Sequence, residues 1–304
     1  MTAPAIRRAS LSFPTTPSAS TPSRASAWRC VTPPRGSTAI CSPTSSLWPR
    51  PRHRRSTARE PEGSNTMFRS LNTAAAVLAY ARELRRTPIC TCPVCDAQGR
   101  FTPAGSPPRL GVVCLGCGSY ERHRLLALAD RELGLFARRR ILHFAPEPAI
   151  RSHIGAQSPA SYVTADLSGV GVDRAEDVEA TSFPDDAFDV VVISHVLEHV
   201  SDDARALREL TRITGPGGQI VIMIPVVDGR PETFEIGSAS TAAERLRLCG
   251  QDDHLRVYGR DVRNRILATG LELREFVPTP HQIADHGLLL GETVFLATVP
   301  GSSD

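Results

Sequence analysis

Between residue 141 and the end of the chain, apolar runs alternate with amphipathic stretches, and that alternation leaves few folds open. Phe188 to Ser194 (FDVVVIS) reads as one apolar run, the pattern of a parallel strand buried on both faces. Asp202 to Ile213 (DDARALRELTRI) follows with helical periodicity and is stopped by Gly215-Pro216-Gly217-Gly218. Gln219 to Val226 (QIVIMIPV) is a second buried run. Ile141 to Ala145, Ser161 to Ala165, Leu271 to Val277 and Glu292 to Val299 add further strands, and Arg260 to Thr269 a helix ending at Gly270. Strands separated by helices imply right-handed crossovers and an α/β fold with a doubly wound, mostly parallel sheet. Ligands bind such sheets beyond the carboxyl ends of the strands, so the residues after each strand are the informative ones.

Two cysteine pairs precede this region. Cys92-Pro93-Val94-Cys95 and Cys114-Leu115-Gly116-Cys117 are separated by eighteen residues, the spacing of a zinc ribbon. A two-residue gap turns both thiolates onto one tetrahedral ion, and Gly118 eases the turn. A segment this short cannot support its own core, and structural zinc supplies the missing stability, roughly 10–16 kcal/mol in finger peptides. The competing reading is four buried or redox-active thiols, with Cys90 as a spare thiol or substitute ligand. Four thiolates leave no open position, so the metal is read as structural. Tyr120 to Leu133 then resumes helical periodicity, with Leu125, Leu126, Leu128, Ala129 and Leu133 as a core face. Arg122, His123 and Arg124 read as the solvated start of that helix rather than as phosphate contacts.

Net charge is only +3 because three segments cancel. Residues 1–66 hold ten Arg against two Glu, residues 67–140 twelve Arg against five acids, and residues 141–304 thirteen Arg against twenty-five acids. The first segment also holds ten Pro, twelve Ser and nine Thr without apolar periodicity. It cannot offset an ordering cost of roughly 1–2 kcal/mol per residue, so it is expected to be disordered. Its composition also fits a transit peptide, a basic nucleic-acid arm, or upstream sequence ahead of a true start at Met67. Beyond Met67, Leu71, Ala74, Ala75, Leu78 and Leu84 fit a helical face, whereas Cys30 and Cys41 fall in the tail. The division is therefore a tail (1–66), a helix plus zinc-ribbon module (67–137) and an α/β domain (138–304). No run reaches the ~18 apolar residues of a membrane span, and no secretory signal core is visible, which predicts a cytoplasmic chain.

Asp166-Leu167-Ser168 follows the second strand, Glu176 to Pro184 (EDVEATSFP) leads into Asp185-Asp186-Ala187-Phe188-Asp189, and His195 to Val200 (HVLEHV) follows the fourth. With these motifs, residues 141–299 resemble the class I S-adenosylmethionine-dependent methyltransferases of the type 11 group, a Rossmann-like fold. Adding the cysteine pairs, SYERHRLL, LHFAPEP and GQDDHLRVYG, the chain is similar to a subgroup carrying an N-terminal zinc ribbon. The resemblance implies S-adenosylmethionine as cofactor beside structural Zn2+. It implies Asp166 as acceptor for the ribose hydroxyls, with Leu167 beside it; the plain alternative is a helix cap or surface Asp. It implies Asp177 and the backbone of Val178 at the adenine, Asp177 being otherwise one charge in an acidic loop. The family's first loop has an acidic residue and three glycines; here His143, Ala145, Glu147 and Ala149 stand in those places, with Pro146 and Pro148 between them. Ala145 and Glu147 would hold the methionine part.

His195-Val196-Leu197-Glu198-His199 also spells His-x-x-Glu-His, an inverted zinc-protease signature. Following directly on a buried strand, it fits the methyltransferase and not a protease helix. His195 at the fourth strand's mouth and His254 in GQDDHLRVYG, after a polar stretch from Asp228 that reads as a lid, are the candidate catalytic bases. The expected function is methyl transfer to an oxygen or nitrogen of a small molecule or surface-glycan precursor. Alternatives are an RNA methyltransferase using the ribbon, or a non-catalytic methyltransferase-fold scaffold. The acidic α/β domain does not favour nucleic acid.

Overall fold

The computed structural model describes residues 78, 81–83, 85–105, 108–237 and 240–301. The readings of residues 1–66, of Cys30 and Cys41, and of Leu71, Ala74, Ala75 and Leu84 lie outside these. Seven strands form the central sheet: β1 (Arg140–Phe144), β2 (Ser161–Asp166), β3 (Arg174–Ala175), β4 (Phe188–Ser194), β5 (Thr214–Met223), β6 (Glu272–Phe276) and β7 (Val294–Thr298). Their spatial order is β6-β7-β5-β4-β1-β2-β3. β7 is antiparallel to both neighbours and the other pairs are parallel, the doubly wound, mostly parallel arrangement expected. The chain runs outward from β1 to β3, then returns to the other side of β1 for β4. That reversal opens a crevice between the ends of β1 and β4, where such sheets bind ligands.

Helices α1 (Glu121–Leu133), α2 (Pro148–Ala156), α3 (Asp203–Ile213), α4 (Ala242–Cys249), α5 (Val262–Leu267) and α6 (Pro280–His286) accompany the sheet. Successive strand residues point to opposite faces. On one face Ile141, Val190, Val192 and Val221 meet Leu125, Leu126 and Ala129 of α1 and Ile150 and Ile154 of α2. On the other, Leu142, Val191, Ile193 and Ile220 meet Ala206, Leu207 and Leu210 of α3 and Ile266 of α5. Leu133, expected in the α1 core face, is 43% exposed because it lies in the last turn, which Gly134 ends in a left-handed cap. α3 starts where Asp202 accepts from the backbone N–H of Arg205. Gly215 to Gly218 does end that helix, but as the bulged start of β5 and not as a free loop. A Cβ on Gly218 would lie 2.7 Å from the Gly215 carbonyl oxygen, so only glycine fits. Among the described residues no helix is long and apolar enough to cross a membrane.

The ribbon comprises two small hairpins, Cys90–Thr91 with Gln98–Gly99 and Thr102–Ala104 with Arg109–Val113. The α1 start that follows is not solvated, which corrects the sequence reading. Arg124 is fully buried and donates to the carbonyls of Val112 (2.8 Å), Ser119 (2.8 Å), His286 (2.9 Å) and Gly287 (2.5 Å). Its guanidinium also lies over the Phe101 ring at 4.3 Å. His286 Nδ1 lies 2.8 Å from the Thr91 carbonyl, and the Cys90 thiol donates to Ala284 at 3.5 Å. Ribbon, α1 and the α6 end are thus laced together through one cation, whose five-donor fork suits scattered carbonyls better than an ammonium.

Candidate functional site

The four ribbon cysteines bring their sulfurs within 4.8 Å of one another, with Cys92–Cys117 at 3.7 Å and Cys95–Cys114 at 3.8 Å. Zinc–sulfur bonds of about 2.3 Å in a tetrahedron put sulfurs ~3.8 Å apart, so the cluster fits Zn2+. Each pair closes the same turn. Asp96 N–H donates to Cys92 O, Gly118 N–H donates to Cys114 O, and Asp96 and Gly118 both take positive φ. Cys90 stands outside the cluster, so it is not a substitute ligand. Four protein ligands make the centre structural.

At the end of β1, Ala145 adopts φ +45°, the left-handed turn that glycine normally supplies. For an L-residue this costs roughly 1–2 kcal/mol, so the surroundings impose the turn despite the missing glycine. His143 is buried against the Tyr162 hydroxyl (2.8 Å), and burial drops its pKa to about 3, leaving a neutral ring. Glu147 faces α1: Arg122 Nε lies 3.1 Å from both of its oxygens, Arg122 Nη2 pairs with Oε1, and His123 Nε2 lies 2.7 Å from Oε2. The His123 contact is close but does not meet hydrogen-bond geometry. Burial alone would raise the Glu147 carboxyl, but His123 and Arg122 outweigh it and hold it at about 2. The motifs SYERHRLL and LHFAPEP are therefore two halves of one charged contact.

Asp166 ends β2 at the neighbouring lip. Its Oδ1 accepts from the Ser168 N–H (2.8 Å) and hydroxyl, while Oδ2 enters no hydrogen bond among the described residues. A fixed carboxylate with one free oxygen suits a hydroxyl donor such as a ribose. Leu167 beside it is 77% exposed. Asp177 is exposed, with Oδ1 accepting from the Glu179 N–H at 2.9 Å, whereas the Val178 side chain is buried.

His195 leaves β4 with φ +54°, its N–H bonded to Met223 O at 2.8 Å. Residues 197–199 form a turn and not a helix, so the protease-like motif lacks its helical face. His195 Nδ1 lies 3.2 Å from Oε1 of the buried Glu198. The GQDDHLRVYG segment, which follows the stretch that reads as a lid, is fastened here: Leu255 N–H donates to Glu198 O, and the Arg256 guanidinium and the Tyr258 hydroxyl bond to Leu197 O. His254 is thereby buried and set edge-on to His199, ring centroids 4.7 Å apart, and burial lowers its pKa. The two candidate bases are thus on either side of the Glu198–His199 turn.

Sequence reasoning passed over Glu292, two residues before β7 on the same edge of the sheet; the only sequence signal is an acid directly ahead of an apolar strand. Burial first, then Glu121, raises its carboxyl to about 7, against opposing pulls from His195, Arg122 and Arg109. The folded chain favours the protonated form, so its stability is fully present below pH ~4.5 and is lost as pH rises through ~7. Glu292→Gln should change the melting temperature much less at pH 5 than at pH 8, where it should stabilise the protein by about 1–3 kcal/mol. The same difference at both pH values would show that this carboxyl is not held neutral.

Residues 113–222 match the sequence model of a methyltransferase domain. The chain is 38% identical over 92 residues to the demethylmenaquinone methyltransferase of Mycobacterium marinum, covering 27% of this chain and 40% of that one. It is 32% identical over 89 residues to the ubiquinone/menaquinone biosynthesis C-methyltransferase of Vibrio campbellii, covering 28% and 34%. It therefore spans two fifths or less of the length of these relatives. A solved S-adenosylmethionine dependent methyltransferase from Mesorhizobium loti is similar at 17% identity and a TM-score of 0.43, over 57% of this chain and 97% of that one. The matched domain and the mostly parallel sheet built on it support a class I S-adenosylmethionine-dependent methyltransferase.

Proposed function

We propose that the chain transfers a methyl group from S-adenosylmethionine to an oxygen or nitrogen of a small molecule or surface-glycan precursor, in the cytoplasm. The proposed division is a ribbon module over 67–137 and a transferase over 138–304. The observation that carries this reading is the turn after β4, which sets His195 against a buried carboxylate beside the β1 loop. When bound, the cofactor supplies an electrophilic methyl group on a sulfonium. Asp166 would hold the ribose, Leu167 would flank it, Asp177 and the Val178 backbone would meet the adenine, and Ala145 and Glu147 would frame the methionine part. With His195 Nδ1 turned to Glu198, Nε2 is the nitrogen left to take a proton from an acceptor. His254, whose burial favours the neutral ring, is the second candidate base. Alignment of acceptor and methyl group supplies the rest, roughly 7–11 kcal/mol at best.

A carbon acceptor is the rival small-molecule outcome, since the relative from Vibrio campbellii is named a C-methyltransferase. An RNA reading loses support. Arg109 pairs with Glu121, Arg122 with Glu147 and Arg131 with Asp96, and Arg124 is buried, so much of the ribbon's positive charge is spent internally. Incubation with radiolabelled cofactor and fractionated cell extract tests the proposal: label in a small-molecule fraction supports it, and label only in RNA overturns it.

Asp166→Ala should weaken cofactor binding by one to two orders of magnitude, because a charge-assisted bond contributes about 1.5–3 kcal/mol. Asp166→Asn keeps one acceptor oxygen and should lose less. Asp185→Ala is the control, for Asp185 pairs with Arg212 on the surface at 2.6 Å. Equal losses at Asp166 and Asp185 in calorimetric titration would remove Asp166 from the site.

A further inference from the structure

A carboxylate buried without hydrogen bonds is costly unless a cation neutralises it. Glu198 is 1% exposed, and neither of its oxygens accepts a hydrogen bond among the described residues. His195 Nδ1 lies 3.2 Å from its Oε1. The nearby buried Arg256 is turned elsewhere, donating to the carbonyls of Leu197, Val200 and Ser201 and facing Asp203 and Glu235. Two imidazoles stand beside the orphaned carboxylate instead. Glu198, His199 and His254 each bring one ligand atom to within 4.8 Å of the others, within adjustment range of one ion bonded at about 2.0–2.2 Å. Asp253 Oδ2 lies 3.4 Å from His199 Nδ1, the position an outer carboxylate takes beside a ligating histidine. The bond from Leu255 N–H to Glu198 O at 2.8 Å fixes His254 against the turn, so the three groups converge in advance.

We infer that Glu198, His199 and His254 form a second metal site, separate from the cysteine ribbon, for a divalent cation of the zinc, cobalt or iron(II) kind. Two imidazoles and one carboxylate select borderline transition cations over magnesium, and they leave positions open for further oxygen ligands. Next to His195, those positions suit an acceptor that presents a hydroxyl or carboxylate oxygen. This last assignment rests on the methyltransferase reading, whereas the metal site itself does not.

The test is a Co2+ titration of the full chain with its ribbon zinc in place, followed in visible and near-ultraviolet absorption. The parent should bind a second metal equivalent with the bands of nitrogen- and oxygen-ligated cobalt and no added thiolate charge-transfer band. Glu198→Gln and His254→Ala should each weaken that binding at least about tenfold, while His281→Ala, at an exposed histidine, titrates like the parent. No second equivalent, cobalt bound only with thiolate bands, or both site variants titrating like the parent would overturn the inference. S-adenosylmethionine titrated into the same samples separates the two ideas. Cofactor binding without cobalt binding removes the metal site alone, and cobalt binding without cofactor binding removes the methyltransferase reading alone.

Discussion

Arg124→Ala is expected to lower stability by about 3–5 kcal/mol, because it strips the shared donor from four carbonyls that stay buried. For a folded region of this size the melting temperature should fall on the order of 10 °C. Desolvation lowers the Arg124 pKa, yet guanidinium stays charged in proteins, and the neighbouring Glu121, Cys92 and Cys114 stabilise that charge. A zinc-bound set of four thiolates carries net negative charge, so Arg124 is also the counter-charge beside the ribbon. Arg124→Lys keeps the charge but offers three donors on one atom, and should recover less than half of the loss. A melting temperature within about 2 °C of the parent for Arg124→Ala would show that the carbonyls find other partners.

Removing the ribbon zinc is expected to reach the cofactor site as well. By sequence alone the ribbon is a structural appendage whose loss would spare cofactor affinity. The contacts offer a path between the two: the ribbon is tied to the start of α1, and Arg122 and His123 there hold Glu147 in the β1 loop. Chelation, or Cys117→Ser, should therefore melt the ribbon and weaken S-adenosylmethionine binding about tenfold or more, at 1.4 kcal/mol per decade. Zinc content, circular dichroism and calorimetric titration on one sample decide it. Unchanged cofactor affinity in zinc-free protein would restore the appendage view.

The strands were legible because period and apolarity are local properties. β4 is found at Phe188–Ser194, the bounds its composition implies, since a run buried on both faces has no competing pattern. α2 was not legible: its first residue is Pro148, which looks like part of a loop even though proline suits the first turn of a helix. α4 carried a visible sign, the Thr241/Glu244 capping box, inside a stretch that otherwise reads as a polar lid. Asp166 and His195 could be named as candidates because strand ends are predictable positions, and the structure does put them at the ends of β2 and β4. The grouping of Glu198 and His199 with His254, and of Arg122 with Glu147, could not. Those contacts join positions dozens of residues apart, and periodicity carries no information about which side chains meet across such distances. The solvated reading of Arg124 failed for the same reason, since its carbonyl partners at His286 and Gly287 come from the far end of the chain.

By its resemblance to the family, Glu147 stands at a place expected to hold glycine, and a redesign guided by that expectation would mark it for repair. The repair would do damage: Glu147→Gly leaves Arg122 and the buried His123 facing a gap, while Pro146 and Pro148 still deny the loop their N–H groups. Helix start and loop have become a lock and its key, cut together. A graft from a glycine-bearing relative would have to bring both pieces, and chimeras joined between residues 124 and 145 should misfit even where each half comes from an active enzyme.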